Sequence, residues 1–270
     1  MSDTNAQFVG SIPEYYDRYL GPLLFAPYAR DLVGRLPRLT AGPVLEVACG
    51  TGIVTDHLRK ALPAGMAIVA TDLNEPMLTY ARAARPLGAG VEWRPADAQA
   101  LPFPDAAFEA IVCQFGLMFV PDKAAALQEA RRVLKRGGML AFNVWAAFPQ
   151  NPIGRIADQL ISSYFPDDPP TFYRVPFGLD DEAGLREMLT ASGFEVVAAE
   201  RVTLMATSPS ATDAAQGLVF GNPVQLAIQE RGTVPPATIA ASLADALAAV
   251  GGSAPFSAPM CALVFVARAT

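Results

Sequence analysis

The sequence predicts an α/β fold in which helices cover both faces of a parallel β-sheet. Between residues 43 and 145, short apolar segments that suit strands alternate with longer segments whose apolar residues have helical spacing. Strands that are apolar throughout are typical of parallel sheets, because neither face of such a sheet meets water. A glycine turn, with Gly50 and Gly52, follows the first strand and leads into a helix. Such a turn lets a ligand approach the backbone and the free N–H groups of the helix, so it indicates a nucleotide-type site.

The alternation assigns the elements along the chain. Strands are predicted at 43–47, 67–71, 91–94, 110–113, 139–145, 194–204 and 261–267. Helices are predicted at 53–62, 75–84, 123–134, 153–164 and 180–192, with two or three Ala-rich helices within 208–258. Asn74 and Pro76 suit the start of the second of these helices, as its N-cap and in its first turn.

Prolines are frequent at both ends of this pattern. Pro13, Pro22 and Pro27 are expected to cut the aromatic-rich residues 1–40 into short helices, which we interpret as a lid over the sheet edge, over a ligand, or over both. The predicted organisation is a helical lid at 1–40, a ligand-binding core at 41–145, a Pro-rich cap insertion at 146–178, and the rest of the core at 179–270 with a helical cap insertion at 205–258.

Composition and charge exclude several classes of protein. Of the 270 residues, 52% are hydrophobic, but the most apolar segment, 234–250, is too short to span a membrane and carries Asp245. The polar start of the chain, with Ser2 and Asp3, lacks the features of a secretion signal, so a cytoplasmic protein is predicted. The net charge of −6 argues against a nucleic-acid partner, which would require a basic surface.

Metal and disulfide sites are not predicted. The three cysteines, Cys49, Cys113 and Cys261, are far apart in the sequence, and His57 is the one histidine. These residues form no CxxC or Cys/His cluster with the spacing that zinc sites need. We therefore expect each cysteine to be a small buried residue rather than a ligand.

The glycine turn does not have the spacing of a dinucleotide site. The fingerprint G-x-G-x-x-G requires a third glycine where this chain has Ile53 or Thr55, depending on the register. The spacing found here, an acid, a small residue and two glycines from Glu46 to Gly52, suits a nucleoside with an amino-acid tail. Asp72 ends the second strand, where a carboxylate can accept hydrogen bonds from both hydroxyls of a ribose. Asp97 follows the third strand, where an adenine amino group would lie.

These motifs resemble those of the class I S-adenosylmethionine-dependent methyltransferases, in the small-molecule branch that includes the ubiquinone/menaquinone-biosynthesis type. The matching segments are 44–52, 70–78, 96–105, 108–115 and 130–138. The resemblance implies a Rossmann-like, doubly wound and mostly parallel sheet of seven strands, with an antiparallel last strand and helical cap insertions. It also implies S-adenosylmethionine as the cofactor and S-adenosylhomocysteine as its product.

The resemblance assigns roles to individual residues. Expected cofactor-binding residues are Tyr16, Glu46, Ala48, Gly50, Thr51, Gly52, Asp72, Leu73, Met77, Asp97, Ala98, Gln114 and Phe115. Among them, Asp72 is expected at the ribose, and Leu73 and Met77 beside the adenine. The family usually has glycine at the position of Ala48. We expect alanine there to cost little if its φ is negative, with cofactor binding intact.

Methyl transfer of this kind is an in-line displacement, so the protein mainly supplies proximity and orientation. A general base is needed only if the acceptor must lose a proton, and the candidates for such a catalytic role are His57 and Tyr16. The cap insertions contain large apolar side chains that either line an acceptor pocket or pack in the core: Phe148, Phe165, Phe172, Phe177, Leu218 and Phe220. The predicted partner is therefore an apolar or aromatic small molecule, and a homodimer is left open.

Two other functions compete with methyl transfer. The first is a nicotinamide-dependent oxidoreductase on a similar sheet, against which the glycine spacing argues. The second is a member of the fold that binds the cofactor but regulates another process or performs a non-methylating reaction.

Overall fold

The computed structural model describes residues 4–39 and 42–270, so the predicted border at 40/41 and the polar start with Ser2 and Asp3 lie outside the described residues. The chain forms two compact units. The sheet unit comprises Tyr28–Val144, Asp180–Val202 and Ala262–Thr270. The helical unit comprises the chain up to Pro27, together with Trp145–Leu179 and Thr203–Cys261.

Seven strands form one sheet in the order β3-β2-β1-β4-β5-β7-β6. They are β1 (Val44–Val47), β2 (Ile68–Asp72), β3 (Val91–Pro95), β4 (Phe108–Gln114), β5 (Leu134–Trp145), β6 (Phe194–Ser208) and β7 (Phe256–Ala269). The predicted fold class is confirmed. β5 begins five residues before the predicted 139 and β7 five residues before the predicted 261, because the strands extend past their apolar cores into polar or Pro-containing sequence.

The first five strands are parallel, as their apolar composition predicted. Val44 of β1 lies opposite Ile68 of β2 on one side and opposite Ala110 of β4 on the other. All five residues of β2 are buried, as expected for a strand covered on both faces. The strand order reverses between β1 and β4, and in such sheets ligands bind beyond the carboxyl ends of the strands at this point.

The last strand runs antiparallel to its neighbours. At its end, the N–H of Thr270 donates to the carbonyl of Gly193, directly before β6, at 3.1 Å. Phe265 of β7 stacks on Phe142 of β5 with ring centroids 5.0 Å apart, and both rings are buried. This contact anchors the closing strand to the sheet.

The helices of the sheet unit are α2 (Ala26–Gly34, from Tyr28 onward), α3 (Ile53–Ala61), α4 (Glu75–Ala84), α5 (Lys123–Val133) and α7 (Glu182–Ala191). Asp122 caps α5 by accepting a hydrogen bond from the N–H of Ala125 at 2.9 Å. Asn74 occupies the N-cap position of α4, but its side chain makes no cap bond; its Nδ2 instead lies 3.4 Å from the Asp72 carboxylate.

The helical unit contains α1 (Ile12–Tyr15), a π-helix (Tyr16–Phe25), α6 (Pro152–Ser163), α8 (Ala211–Phe220), α9 (Val224–Arg231) and α10 (Pro236–Gly251). The expectation that Pro22 breaks the first helix was wrong, since Pro22 lies inside the π-helix. Proline lacks the N–H that an α-helix needs and its ring crowds the preceding turn, and a wider π-turn is one way to accommodate it.

None of the helices among the described residues is long and apolar enough to cross a membrane. Within the same ranges there is no group of three or more His, Cys, Asp or Glu side chains that could hold a metal ion. Cys49, Cys113 and Cys261 are buried free thiols.

Candidate functional site

Most of the predicted site residues lie just beyond the carboxyl ends of β1, β2, β3 and β4, which are adjacent in the sheet unit. Because parallel strands end at the same edge, the turn after Val47, the Asp72–Leu73 corner, the Asp97–Ala98 turn and the Gln114–Phe115 turn come together there. Tyr16 belongs to the helical unit.

The turn after β1 has a left-handed backbone at three positions. Ala48 has φ +55°, Gly50 +55° and Gly52 +83°. Alanine was expected to cost little here if its φ were negative; that condition is not met, and the left-handed region costs a residue with a Cβ about 1–2 kcal/mol. Gly52 is required for a second reason, because a Cβ on it would lie 2.6 Å from the ring of Trp93.

The space above the glycine turn is open at one residue and filled at another. A Cβ built on Gly50 would meet no atom within 4 Å, so this part of the turn can receive a ligand. Thr51, in contrast, is 1% exposed and its carbonyl accepts a hydrogen bond from Arg85. The methyl group of Ala48 points at Gly116, where an added Cβ would come within 2.4 Å of it.

Replacing Ala48 with glycine is expected to raise the free energy of unfolding by up to about 1 kcal/mol. The left-handed backbone is then free of its Cβ penalty, which outweighs the extra entropy of glycine in the unfolded chain. Urea unfolding measures the effect. The matched control is Ala141→Gly, a buried alanine of β5 without positive φ, which should destabilise. Equal destabilisation by both variants would contradict the prediction.

Asp72 is nearly buried and organises the ends of two elements. Its Oδ2 accepts from the N–H of Gly50 and its Oδ1 from the N–H of Asn74, each at 2.8 Å. Burial raises the pKa of this carboxyl, while the hydrogen bonds from Asn74 and Gly50 lower it. The Nδ2 of Asn74 also lies 3.4 Å from Oδ1, so of the roughly four acceptor positions of an ionised carboxylate about one is left for a ligand.

The two apolar residues predicted beside an adenine differ in exposure. Leu73 is 65% exposed and lies directly after Asp72. Met77, in the first turns of α4, is 3% exposed. Leu73 therefore offers an apolar surface to a flat ring, whereas Met77 is part of the core.

The side chain of Glu46 is buried on all sides. Its side chain is 1% exposed, and its Oε2 accepts a hydrogen bond of 2.6 Å from the hydroxyl of Thr55 on α3. Burial raises the pKa of Glu46 to about 8, although the bond from Thr55 acts in the opposite direction. The carboxyl thus joins β1 to α3 beneath the glycine turn, a contact that the sequence pattern did not reveal.

Asp97 and Ala98 form the turn after β3. The Asp97 Oδ1 accepts from the N–H of Gln99 at 2.9 Å, a local bond that fixes this turn. Ala98 lines an apolar cavity between the sheet and α5. Other residues around that cavity include Val47, Ala48, Cys113, Gly116 and Leu117. The cavity therefore adjoins the turns after β1, β3 and β4, which form part of the site.

The turn after β4 is held by a residue that the sequence analysis missed. Phe115 has φ +50°, and its N–H lies 3.0 Å from the side-chain oxygen of Asn143 and 3.1 Å from the Asn143 carbonyl. The ring of Phe115 meets the edge of Tyr28 at 5.4 Å, and Gln114 precedes it half-buried. Asn143 was detectable in principle, since it is the polar residue inside the apolar run from Met139 to Trp145.

Tyr16 begins the π-helix of the helical unit. Its ring stacks on Phe25 with centroids 4.5 Å apart and an interplanar angle of 13°. The edge of Phe8 meets the same ring at 5.9 Å. These contacts fix the ring within the helical unit, and its role toward the cofactor or in catalysis stays a prediction.

His57 lies half-buried on α3. Its Nδ1 is 2.9 Å from the carbonyl of Ile53, four residues earlier on the same helix. Because a carbonyl only accepts hydrogen bonds, Nδ1 carries the proton and the imidazole is tied to its own helix.

Replacing His57 with alanine is expected to leave turnover within about tenfold of the wild type, because its ring serves α3 rather than a reacting group. Steady-state rates at saturating cofactor measure this. A far larger loss with unchanged cofactor affinity would show that His57 acts as a base.

The arrangement fits a nucleoside cofactor with an amino-acid tail. The open space at Gly50 suits the tail, the acceptor capacity left on Asp72 suits a ribose hydroxyl, and exposed Leu73 suits the base. Nothing at this edge provides the longer glycine turn that a pyrophosphate needs. The predicted cofactor class is therefore compatible with the residues present.

Several known methyltransferases are similar to this chain. A model of the methyltransferase domain family matches residues 45–142. An Escherichia coli ubiquinone/menaquinone biosynthesis C-methyltransferase is 33% identical over 167 residues, which cover 57% of this chain and 66% of that protein. The Geobacter sulfurreducens enzyme of the same name is 34% identical over 127 residues, or 46% of this chain and 48% of its own. The chain thus spans about half the length of several of the curated relatives it matches.

Solved structures share the fold at low identity. A Haemonchus contortus phosphoethanolamine N-methyltransferase 2, solved with S-adenosylhomocysteine, has a TM-score of 0.56 at 15% identity and covers 97% of this chain and 60% of its own. The [4+2]-cyclase SpnF has a TM-score of 0.58 at 24% identity, covering 90% of this chain and 80% of its own. At these identities the likeness extends to the fold and no further.

Proposed function

Because this chain belongs to the class I S-adenosylmethionine-dependent methyltransferases, we propose that it transfers a methyl group from S-adenosylmethionine to a small-molecule acceptor. The observation that carries the proposal is the Asp72 carboxylate, fixed by the N–H of Gly50 at the end of β2 beside open space at the glycine turn. These two features support a hydrogen-bond acceptor for a ribose next to room for an amino-acid tail.

The chain's own residues have distinct tasks in this proposal. Asp72 would hold the ribose, Leu73 would cover the adenine, and the turn from Ala48 to Gly52 would receive the methionine part. The bound cofactor supplies a methyl group already activated by its sulfonium, so the protein needs chiefly to align the acceptor for in-line transfer and to exclude water. His57 and Tyr16 are not required as bases where the acceptor is itself a good nucleophile.

We further propose that the acceptor is apolar or aromatic, on the basis of the helical unit. Six large apolar side chains of this unit were candidates for lining an acceptor pocket. Four of them are under 10% exposed and belong to the core: Phe165, Phe172, Phe177 and Leu218. Phe148 and Phe220 are half-buried, and they contact Phe177 and Tyr15 at ring centroid distances of 4.9 Å and 5.3 Å. These two partly exposed rings are the ones that support an apolar acceptor.

The proposal is tested in two steps. Calorimetry with S-adenosylmethionine, S-adenosylhomocysteine and NAD should show binding of the first two, and binding of NAD alone would contradict the assignment of the cofactor. Transfer of a labelled methyl group to a panel of phenols, quinols, amines and thiols should then identify the acceptor class. Cofactor binding without transfer to any member would contradict the activity while retaining the cofactor.

A further inference from the structure

Asn143 is a polar residue in the most buried part of the sheet. It lies on β5 opposite Gln114 of β4, and its side chain is 0% exposed. Its Oδ1 and its own carbonyl both accept from the N–H of Phe115, at 3.0 Å and 3.1 Å. An amide NH₂ group facing the N–H of Phe115 would set two donors against each other, so this contact fixes which end of the amide is the oxygen.

The residue that Asn143 holds has an unfavourable backbone conformation. Phe115 is one of three non-glycine residues with positive φ in the described parts of the chain, with Ala48 and Ala106. A β-carbon disfavours this region, so contacts must maintain it. Phe115 and Ala48 follow the ends of the neighbouring strands β4 and β1, and Gly116 lies against the methyl group of Ala48.

Packing alone does not explain an amide at this position. The Nδ2 of Asn143 has no hydrogen-bond partner among the described residues, although it is buried. Leaving a buried donor unpaired is unfavourable, and an apolar residue like the adjacent Phe142 or Val144 would avoid that cost. The side-chain oxygen is what distinguishes asparagine from those residues, and its contact is Phe115.

We infer that Asn143 is a positioning residue for the proposed methyl transfer. It holds Phe115 in its left-handed conformation, so that the Gln114–Phe115–Gly116 turn forms a fixed wall of the cofactor site beside Ala48. The inference rests on the proposed function for its effect on ligand binding. Its effect on the turn itself does not depend on any ligand.

The experiment compares Asn143→Ala with Val144→Ala, a matched loss at the next buried position of the same strand. Hydrogen exchange should quicken at least tenfold in the peptide spanning Gln114–Gly116 for Asn143→Ala alone, because an acceptor of that amide is lost. The dissociation constant of S-adenosylhomocysteine should rise about tenfold for the same variant. Equal exchange and equal affinity in the two variants would overturn the inference.

Two further measurements separate the possible failures. If the wild type does not bind S-adenosylhomocysteine, the proposed function fails, and the exchange result alone decides the role of Asn143 at the turn. If Asn143→Ala does not fold, Asn143→Leu takes its place, since it is neutral, fills a similar volume and lacks the oxygen that accepts from the Phe115 N–H. That variant should also exchange at least tenfold faster than the wild type at this turn, and exchange equal to the wild type would overturn the inference.

Discussion

Replacing Asp72 with alanine is expected to weaken S-adenosylmethionine binding by about 1–3 kcal/mol, or roughly 5- to 150-fold. Two effects combine in this variant. The proposed hydrogen bonds to the ribose are lost, and the N–H groups of Gly50 and Asn74 lose the carboxylate that holds them at 2.8 Å. Calorimetric titration with the cofactor measures the change.

Asn74→Ala is the control for that experiment. It removes the 3.4 Å contact between the Asn74 side chain and the Asp72 carboxylate, and leaves the carboxylate itself in place. We expect the affinity of this variant for S-adenosylmethionine to stay within about twofold of the wild type. Unchanged affinity in Asp72→Ala would remove Asp72 from the site and with it the main support for the proposed cofactor.

Replacing Glu46 with glutamine is expected to make stability less dependent on pH. Burial raises the pKa of Glu46 from 4.5 to about 8 in the folded chain. Since the folded pKa is the higher one, its contribution to stability is complete below pH 4.5 and is lost as pH rises through about 8. Between these two pH values the free energy of unfolding falls by roughly 1.4 kcal/mol per pH unit, a few kcal/mol in total at most.

Urea unfolding of Glu46→Gln and the wild type across this pH range tests the prediction. The two should be similar at about pH 5, and the variant should be the more stable by a few kcal/mol at about pH 9. Thr55→Val should move the window upward, because the Thr55 hydroxyl lowers the pKa of Glu46. Parallel pH curves for the wild type and Glu46→Gln would show that Glu46 is ionised in the folded chain.

The parts of the fold that follow from local pattern could be predicted from the sequence. The buried parallel strands, the glycine turn and the helix over 75–84 all depend on residues near one another in the chain. The π-helix around Pro22 was missed, because a proline ordinarily breaks a helix, whereas here it lies inside one. The strand ends that extend past the apolar cores, as in β5, could also not be predicted from the local sequence pattern.

The chemical surroundings of the site could not be predicted, because they arise between residues far apart in sequence. The φ of Ala48 depends on the whole turn, and its sign reversed the expected cost of alanine there. Glu46 matched the motif, yet its bond to Thr55 and its raised pKa come from burial in the folded sheet. Asn143 meets Phe115 only through the pairing of β4 with β5.

The closeness of Ala48 and Gly116 restricts the order in which this site can change during evolution. A Cβ at position 116 would lie 2.4 Å from the Ala48 methyl group and 2.9 Å from the sulfur of Cys113. A larger residue at 116 is therefore tolerated only after position 48 has become glycine and the Cys113 sulfur has moved or been replaced. Positions 48, 113 and 116 form an epistatic set, and glycine at 48 is the permissive first step.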